Sequence, residues 1–354
     1  MGRRGAESRP QPNGSTLKIP MIVLGIESSC DDAAAAVIET TEPGRAVVRA
    51  SVVANQDDIH AAYGGVVPEL ASRNHVVAIM PVVERALRTA SMTLSDIEGI
   101  AVTKGPGLVG SLLVGLMYAK GLAQSLDLPL VGVNHLEGHL LAPLLEHGVP
   151  MPFVALVASG GHTSLFLAED FGCYRTVGRT RDDAAGEAFD KVAKLMGLGY
   201  PGGRVIEELS RGGNSKRIRL PRARVKGAPM DFSFSGIKTA VAVFLRGEQA
   251  LTVTPPDLAA SFQEAVVDML VAPTLAAARQ LDTRAIVLSG GVAANQRLRT
   301  RLAEAASAEG RQLFAPSLKY CTDNAAMIAL AGSYRLLAGE RDSLNLDAQA
   351  NLPL

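Results

Sequence analysis

Two histidines four residues apart, His135 and His139, stand in the stretch NHLEGH at 134–139. On an α-helix that spacing sets both imidazoles on one face, where they can bind a borderline divalent ion such as iron or zinc. Asn134 is a good N-cap for such a helix. Two histidines at a plain packing interface would share the spacing, so spacing alone leaves both readings open. The zinc-protease signature HExxH places its glutamate directly after the first histidine. Here Leu136 holds that position, and Glu137 lies two residues from each histidine. At roughly 100° per residue it points about 200° away from both, so it cannot activate a metal-bound water. A third ligand is not legible from spacing.

Glycine turns offer a second chemistry. VASGGH (157–162) and VLSGGVAAN (287–295) each put Ser-Gly-Gly straight after an apolar strand. Glycines there let the backbone approach a ligand closely and aim N–H groups at an anion. The second turn also feeds a helix N-terminus, which favours phosphate. Neither is a Walker A loop or a GxGxxG, so either alone is an ordinary strand-to-turn joint. Two at matching positions point to a nucleotide. YPGG (200–203) follows the helix bearing Asp190, whose carboxylate is placed either for ribose hydroxyls or for solvent. KGPGLVGS (104–111) opens a further helix. Asp31, in the turn SSCDD, is a weak candidate base; carboxylates in hairpin turns are usually turn residues.

The elements that must position these residues repeat. MIVLGIE (21–27), AAAAVIE (33–39) and AVVRASVVA (46–54) read as three antiparallel strands, followed by a helix from Pro68 to Thr89. A strand at 99–103, a helix at 111–126 and a strand at 129–133 complete the set. The order restarts with strands at 153–159, 163–169 and 173–178 and a helix at 183–196. After an irregular basic insertion come a helix (257–281), a strand (285–289), a helix (294–309), a strand (311–316) and a last helix from Thr322 to Leu337. Three strands, helix, strand, helix, strand, given twice, predicts a duplicated α/β protein of two lobes with a cleft between them. The expected division is a flexible extension at 1–20, one lobe at 21–150 and a second at 151–354. The insertion occupies about 204–256, and the last helix is allowed to pack back on the first lobe.

The totals exclude some classes. Of 354 residues 47% are apolar, and Lys+Arg and Asp+Glu balance at 35 each, so no global charge selects a nucleic-acid or membrane partner. The three cysteines, Cys30, Cys173 and Cys321, form no disulfide framework or CxxC site, and a reducing cytoplasm is the expectation. The longest apolar run, Leu108 to Ala119, is too short to span a membrane. Residues 1–20 are polar, unlike a secretory signal, and read as a flexible tail; an Arg-rich transit peptide is the lesser reading, because the piece is short and broken by Pro and Gly. Locally, SKRIRLPRARVKG carries Lys216, Arg217, Arg219, Arg222, Arg224 and Lys226, a basic run that is either a solvated face or a phosphate-contacting one.

Taken together, GIESSCDD, YGGVVPELASRNH, GPGLVGSLLVG, NHLEGHLLAP, SGGHT, DDAAGEAFDKVAKLMGLGYPGG, DFSFSGIKTAV, SGGVAANQRLR and CTDNAAMIA resemble the bacterial TsaD branch (YgjD/Gcp) of the universal tRNA threonylcarbamoyltransferase family, over about residues 21–340. The resemblance implies the duplicated ASKHA fold of actin, Hsp70 and sugar kinases, with RNase H-like lobes. It implies transfer of a threonylcarbamoyl group from threonylcarbamoyl-AMP to the exocyclic amine of the adenosine 3′ of the anticodon, position 37, in tRNAs reading ANN codons. It carries the metal-ligand roles onto His135, His139 and Asp323, with Fe(II) preferred and Zn second. Contacts to an adenylate or ATP-type ligand fall on Val157, Ala158, Ser159, Gly160, Gly161, Asp190, Gly203 and Asn295. The implied partners are tRNA, a TsaB-like paralogue paired through the helix at 68–89, and a TsaE-like P-loop ATPase; a homodimer is a further expectation. With tRNA as substrate, the basic run becomes a candidate contact.

Three departures stand out. Ala33 replaces a Thr or Ser, removing a hydroxyl near the expected phosphate; Arg204 replaces a proline; and NLDAQANLPL replaces an Arg-Pro-Arg-Trp-type end. Competing classes are a metal-less scaffold paralogue, against which His135, His139 and Asp323 speak, an ASKHA kinase, whose Mg²⁺ would want acidic oxygens, and the metalloprotease disfavoured by Glu137.

Overall fold

The computed structural model describes residues 20–42 and 45–354; the extension expected over 1–20 thus lies, Pro20 apart, outside the described residues. The first half runs β1 (Met21–Glu27), β2 (Ala33–Glu42), β3 (Arg45–Ala54), α1 (Asp57–Ala61), α2 (Pro68–Ala90), β4 (Gly99–Gly105), α3 (Val109–Leu126), β5 (Leu130–Asn134) and α4 (His135–Leu141). The second runs β6 (Phe153–Ala158), β7 (Thr163–Asp170), β8 (Cys173–Arg179), α5 (Ala185–Leu195), α6 (Gly202–Ser210), α7 (Ser235–Arg246), α8 (Pro255–Gln280), β9 (Ala285–Ser289), α9 (Gln296–Ala308), β10 (Gln312–Phe314) and α10 (Ala325–Leu337).

The expected duplication is present. One sheet is ordered β3-β2-β1-β4-β5 and the other β8-β7-β6-β9-β10. In each, the first three strands pair antiparallel and the last two join in parallel. Central strands buried on both faces read as unbroken apolar runs, as MIVLGIE and FVALVA do. Alternate side chains then feed separate cores. Val154 and Leu156 face α5–α9, while Phe153, Ala155 and Val157 face the other way, onto α4 and α10. On its far side the first sheet packs Leu24, Ile26 and Ile100 against α2 and α3.

The helix α10 closes the chain but lies on the first sheet. Small residues allow the approach: a Cβ on Gly25 would come 2.3 Å from the Ala325 carbonyl oxygen, and one on Gly332 would come 2.2 Å from Ala101 Cβ. Beyond α10 the chain doubles back along the edge of that sheet. The Asp342 N–H donates to Leu130 O at 2.8 Å, and the Asp342 carboxylate accepts from the Gly132 N–H at 2.7 Å. The Gln349 N–H donates to Lys104 O, and Asn134 Nδ2 reaches the carbonyls of Leu352 and Pro353.

The stretch expected to be irregular corrects in part. It holds α6 and α7, whose apolar faces (Val205, Ile206 and Leu209; Ile237, Val241 and Phe244) pack on the second core. Flanking glycines and basic residues obscured that helical period in the sequence. Only the segment around 211–233 lacks helix. The helix α8 is long and apolar enough to cross a membrane, yet most of it is buried in the second core.

Candidate metal centre

Asn134 ends β5 and caps α4, its side chain accepting from the Leu136 N–H at 2.9 Å. One turn of helix then stacks His135 and His139, their rings edge to face with centroids 4.7 Å apart. Asp323 comes from the other end of the chain, just ahead of Asn324, which caps α10 by accepting from the Met327 N–H. Asp323 Oδ1 lies 3.0 Å from His139 Nε2 and 3.6 Å from His135 Nε2. Ligands bound at about 2.1 Å and at ordinary tetrahedral or octahedral angles sit roughly 3.0–3.4 Å apart, so the His139–Asp323 span fits a shared ion. The His135–Asp323 span is slightly wider, and all three ligand atoms lie within 4.8 Å of one another. No other group of three or more potential His, Cys, Asp or Glu ligands meets among the described residues.

The surroundings orient the pair. His135 Nδ1 faces Glu27 Oε2 at 3.0 Å and Ser29 Oγ at 3.1 Å, which leaves its Nε2 turned toward Asp323. Glu27 is fully buried at the end of β1, where it also accepts from Thr103 Oγ1 at 2.7 Å and from the Ser29 N–H. Burial opposes charge on His135, yet Asp323 and Glu27 pull it up to about 9. Against burial too, the His135 and His139 imidazoles hold Asp323 well below the usual carboxylate range. The cluster thus favours positive charge at its centre, as a cation site must. Buried His139 Nδ1 has no hydrogen-bond partner.

A cavity of about 380 Å³ opens beside the cluster, walled by Ser29, Asp31, Asp32 and Gly107 on one side and by Ser159, Gly160, Gly161, His162 and Gly291 on the other. The two Ser-Gly-Gly turns are neighbours because β6 and β9 pair in parallel, Val157 beside Ser289. Gly290, at φ +88°, packs so tightly on β6 that a Cβ would lie 2.3 Å from the Ala158 carbonyl oxygen. Gly160 and Gly161 have open space where a Cβ would stand. Burial foremost, then the His135 and His139 imidazoles, push His162 down to about 4.

Of the residues singled out in the sequence, His135, Asp323, Asp31, Ser159, Gly160 and Gly161 meet on this cavity, with His139 closing the cluster behind it. Val157 and Ala158 are buried in β6 and support the turn from below. Asp190 and Gly203 sit where α5 meets α6, the Asp190 carboxylate accepting from the Gly202 N–H at 2.8 Å. Asn295 is committed to packing: Nδ2 donates to Gln263 Oε1 at 2.7 Å and Oδ1 caps α9. Ala33 is fully buried at the start of β2, off the cavity wall, and Arg204 is exposed on α6. The six basic residues are all exposed, because apolar Ile218, Leu220, Ala223 and Val225 alternate with them. Arg222 pairs with Asp268 at 3.0 Å, and Arg217 donates to Thr252 O.

Glu27, Ser29, Thr103 and His162 were missed. A glutamate ending an apolar strand run was the one available signal, since a buried charge needs a partner.

The geometry defines a class: a two-lobe protein of the actin, Hsp70 and sugar-kinase architecture with a His–His–Asp cluster at the cleft. Solved structures share that fold. A full-length HypF in its phosphate- and nucleotide-bound form matches with TM-score 0.57 over 90% of this chain and 55% of its own, at 15% identity. The activator of the 2-hydroxyisocaproyl-CoA dehydratase from Clostridium difficile matches with TM-score 0.51 over 91% and 99%, at 14% identity. Within the class, the model of the TsaD family, tRNA N6-adenosine threonylcarbamoyltransferase, matches residues 47–330. Proteins of that name from Syntrophotalea carbinolica and an Anaeromyxobacter species are each 54% identical, covering 94% and 93% of this chain and 97% and 98% of their own. The chain belongs to the TsaD family and is a transferase acting on the N6 amine of a tRNA adenosine.

Proposed function

We propose that this chain moves the threonylcarbamoyl group of threonylcarbamoyl-AMP onto the exocyclic amine of adenosine 37, 3′ of the anticodon, in cytoplasmic tRNAs reading ANN codons. The amine nitrogen attacks the carbonyl carbon, the carbon–oxygen bond to phosphate breaks, AMP leaves and the amine loses one proton. An adenine amine is a poor nucleophile, which is why the acyl group arrives on a good leaving group. The observation that carries this reading is the meeting of His135, His139 and Asp323 at a cavity floored by both Ser-Gly-Gly turns.

His135, His139 and Asp323 would hold one divalent metal, iron(II) ahead of zinc, which when bound supplies a Lewis acid and a template. Gly160 and Gly161 leave their backbone bare to the cavity, suited to the charge that grows on the departing phosphate. Ser159 fixes that turn, its hydroxyl accepting from the His162 N–H while its own N–H donates to His162 O at 2.8 Å. Asp190 and Gly203 would bind the adenylate from the α5–α6 junction. The exposed Lys216, Arg219, Arg224 and Lys226, with Arg217 and Arg222, would contact tRNA phosphates and set its register without reading sequence.

A TsaB-like paralogue would pair through α2 and α3, which together expose Val76, Val77, Met80, Val109, Leu113 and Met117. A TsaE-like ATPase completes the proposed set of partners.

The test supplies the purified chain and its partners with threonylcarbamoyl-AMP and an unmodified ANN-reading tRNA. Wild type is expected to carry about one metal and form modified adenosine. His139→Ala is expected to lose most metal and about 100-fold or more of the transfer. A metal-free, inactive wild type beside an active paralogue would instead make this chain a scaffold.

A further inference from the structure

Neither peptide chemistry nor metal binding uses Glu137 and Gly138, the residues between Leu136 and His139. Both are buried. Glu137 turns away from the imidazoles, as its place on the helix requires, and receives Arg335 Nη2 at 2.7 Å and Nε at 3.2 Å on one carboxylate oxygen. Its side chain is 3% exposed and that of Arg335 is 27% exposed. Gly138 lies against the first turn of α10, where a Cβ would come 2.8 Å from Ile328 Cδ1 and 3.0 Å from Met327 Cγ.

The helix α10 therefore meets α4 at three heights. Asp323 faces His139 just ahead of the α10 cap, Met327 and Ile328 seat Gly138, and Arg335 takes Glu137 in the last turn. At about 1.5 Å per residue, Arg335 stands roughly 16 Å along the helix from that cap. The two imidazoles hang on α4 and Asp323 directly precedes the cap of α10, so their spacing follows from how α4 sits on α10. Apolar contact is non-directional and would let the pair slide or roll. A buried ion pair adds little net stability, because desolvation offsets the attraction, but it does specify register.

We infer that the Glu137–Arg335 ion pair is a positioning clamp that fixes α4 on α10 and so sets the distance from the imidazole pair to Asp323. The clamp rests on the metal reading above. Metal sites tolerate about 0.2 Å in their ligand distances, so a small slip at the far end of α10 would weaken binding without unfolding the protein.

The experiment measures iron(II) and zinc affinity by competition with a chromophoric chelator, together with the Tm of the metal-free protein. The double variant Glu137→Met/Arg335→Met replaces the pair with flexible apolar side chains, Met matching Glu in length and being shorter than Arg. Its metal-free Tm is expected within about 3 °C of wild type, and its metal affinity to fall about 10–100-fold. Affinity within threefold of wild type at that Tm overturns the clamp. Should the double variant not fold, Arg335→Lys decides, since it keeps the charge and loses the fork: about a tenfold loss at an unchanged Tm is expected, and unchanged affinity overturns the inference. A wild type that binds neither iron nor zinc removes the metal reading itself, and the clamp with it.

Discussion

The Glu27 carboxylate is placed, from outside the proposed ligand set, to orient the candidate centre. It is closed from water at the end of β1 and faces His135 Nδ1, so it fixes which imidazole nitrogen is left for a metal. Glu27→Gln keeps the shape and removes the charge; metal affinity is expected to fall about 10–100-fold in a chelator competition, and an unchanged affinity would reduce Glu27 to a strand-end anchor. Asp32 is the opposite case, a residue under repulsion. Burial first, then Asp323, Asp31 and Asp57, push its carboxyl up to about 8. The folded protein therefore holds a proton there that the unfolded chain releases near pH 4, and stability falls as pH rises from about 4 through 8. Asp32→Asn removes that dependence. In the metal-free protein its Tm gain over wild type is expected to be larger at pH 8.5 than at pH 5, and an equal gain at both would refute the crowding.

At the scale of elements, the segment after α10 straps the first lobe's side of the cleft. It clasps the 104–107 loop through Gln349 and Ala350 and the cap of α4 through Leu352 and Pro353. Gly105 is what permits this: its φ is +150°, and a Cβ would come 2.0 Å from the Gln349 carbonyl oxygen. Gly105→Ala is expected to cost about 1–3 kcal/mol in denaturant unfolding and to expose residues 349–354 to proteolysis. Gly121→Ala, in α3 with open space around it, is expected to gain about 0.5–1 kcal/mol. If both variants cost the same, the strap is not what Gly105 serves.

For the whole molecule, the proposed pairing with a paralogue rests on the apolar face of α2 and α3. Met80 is 54% exposed and Met117 58%, on two helices packed side by side. Charge there would stay solvated in the free chain and be buried in a complex. Met80→Asp/Met117→Asp is expected to abolish pairing with the paralogue in sedimentation velocity while leaving the metal content unchanged. Persistent pairing would move the interface elsewhere.

Much of this protein is legible in its sequence, because the physics that writes it is local. Apolar runs bounded by turns marked the strands, Pro68 and Asn134 marked helix starts, and the matching order of elements disclosed the duplication. The four-residue step from His135 to His139 needed only the pitch of a helix, and the same pitch turned Glu137 away from them. Asp323 reached the site through family resemblance; no spacing could bring it 188 residues back to His135 (323 − 135). Tertiary structure alone decided the rest. Glu27 meets His135 because β1 and β5 flank β4, Arg335 meets Glu137 because small residues let α10 settle on the first sheet, and Asn295 spends its amide on Gln263. Such partners are chosen by where a side chain stops after the backbone has packed, and no local period encodes that.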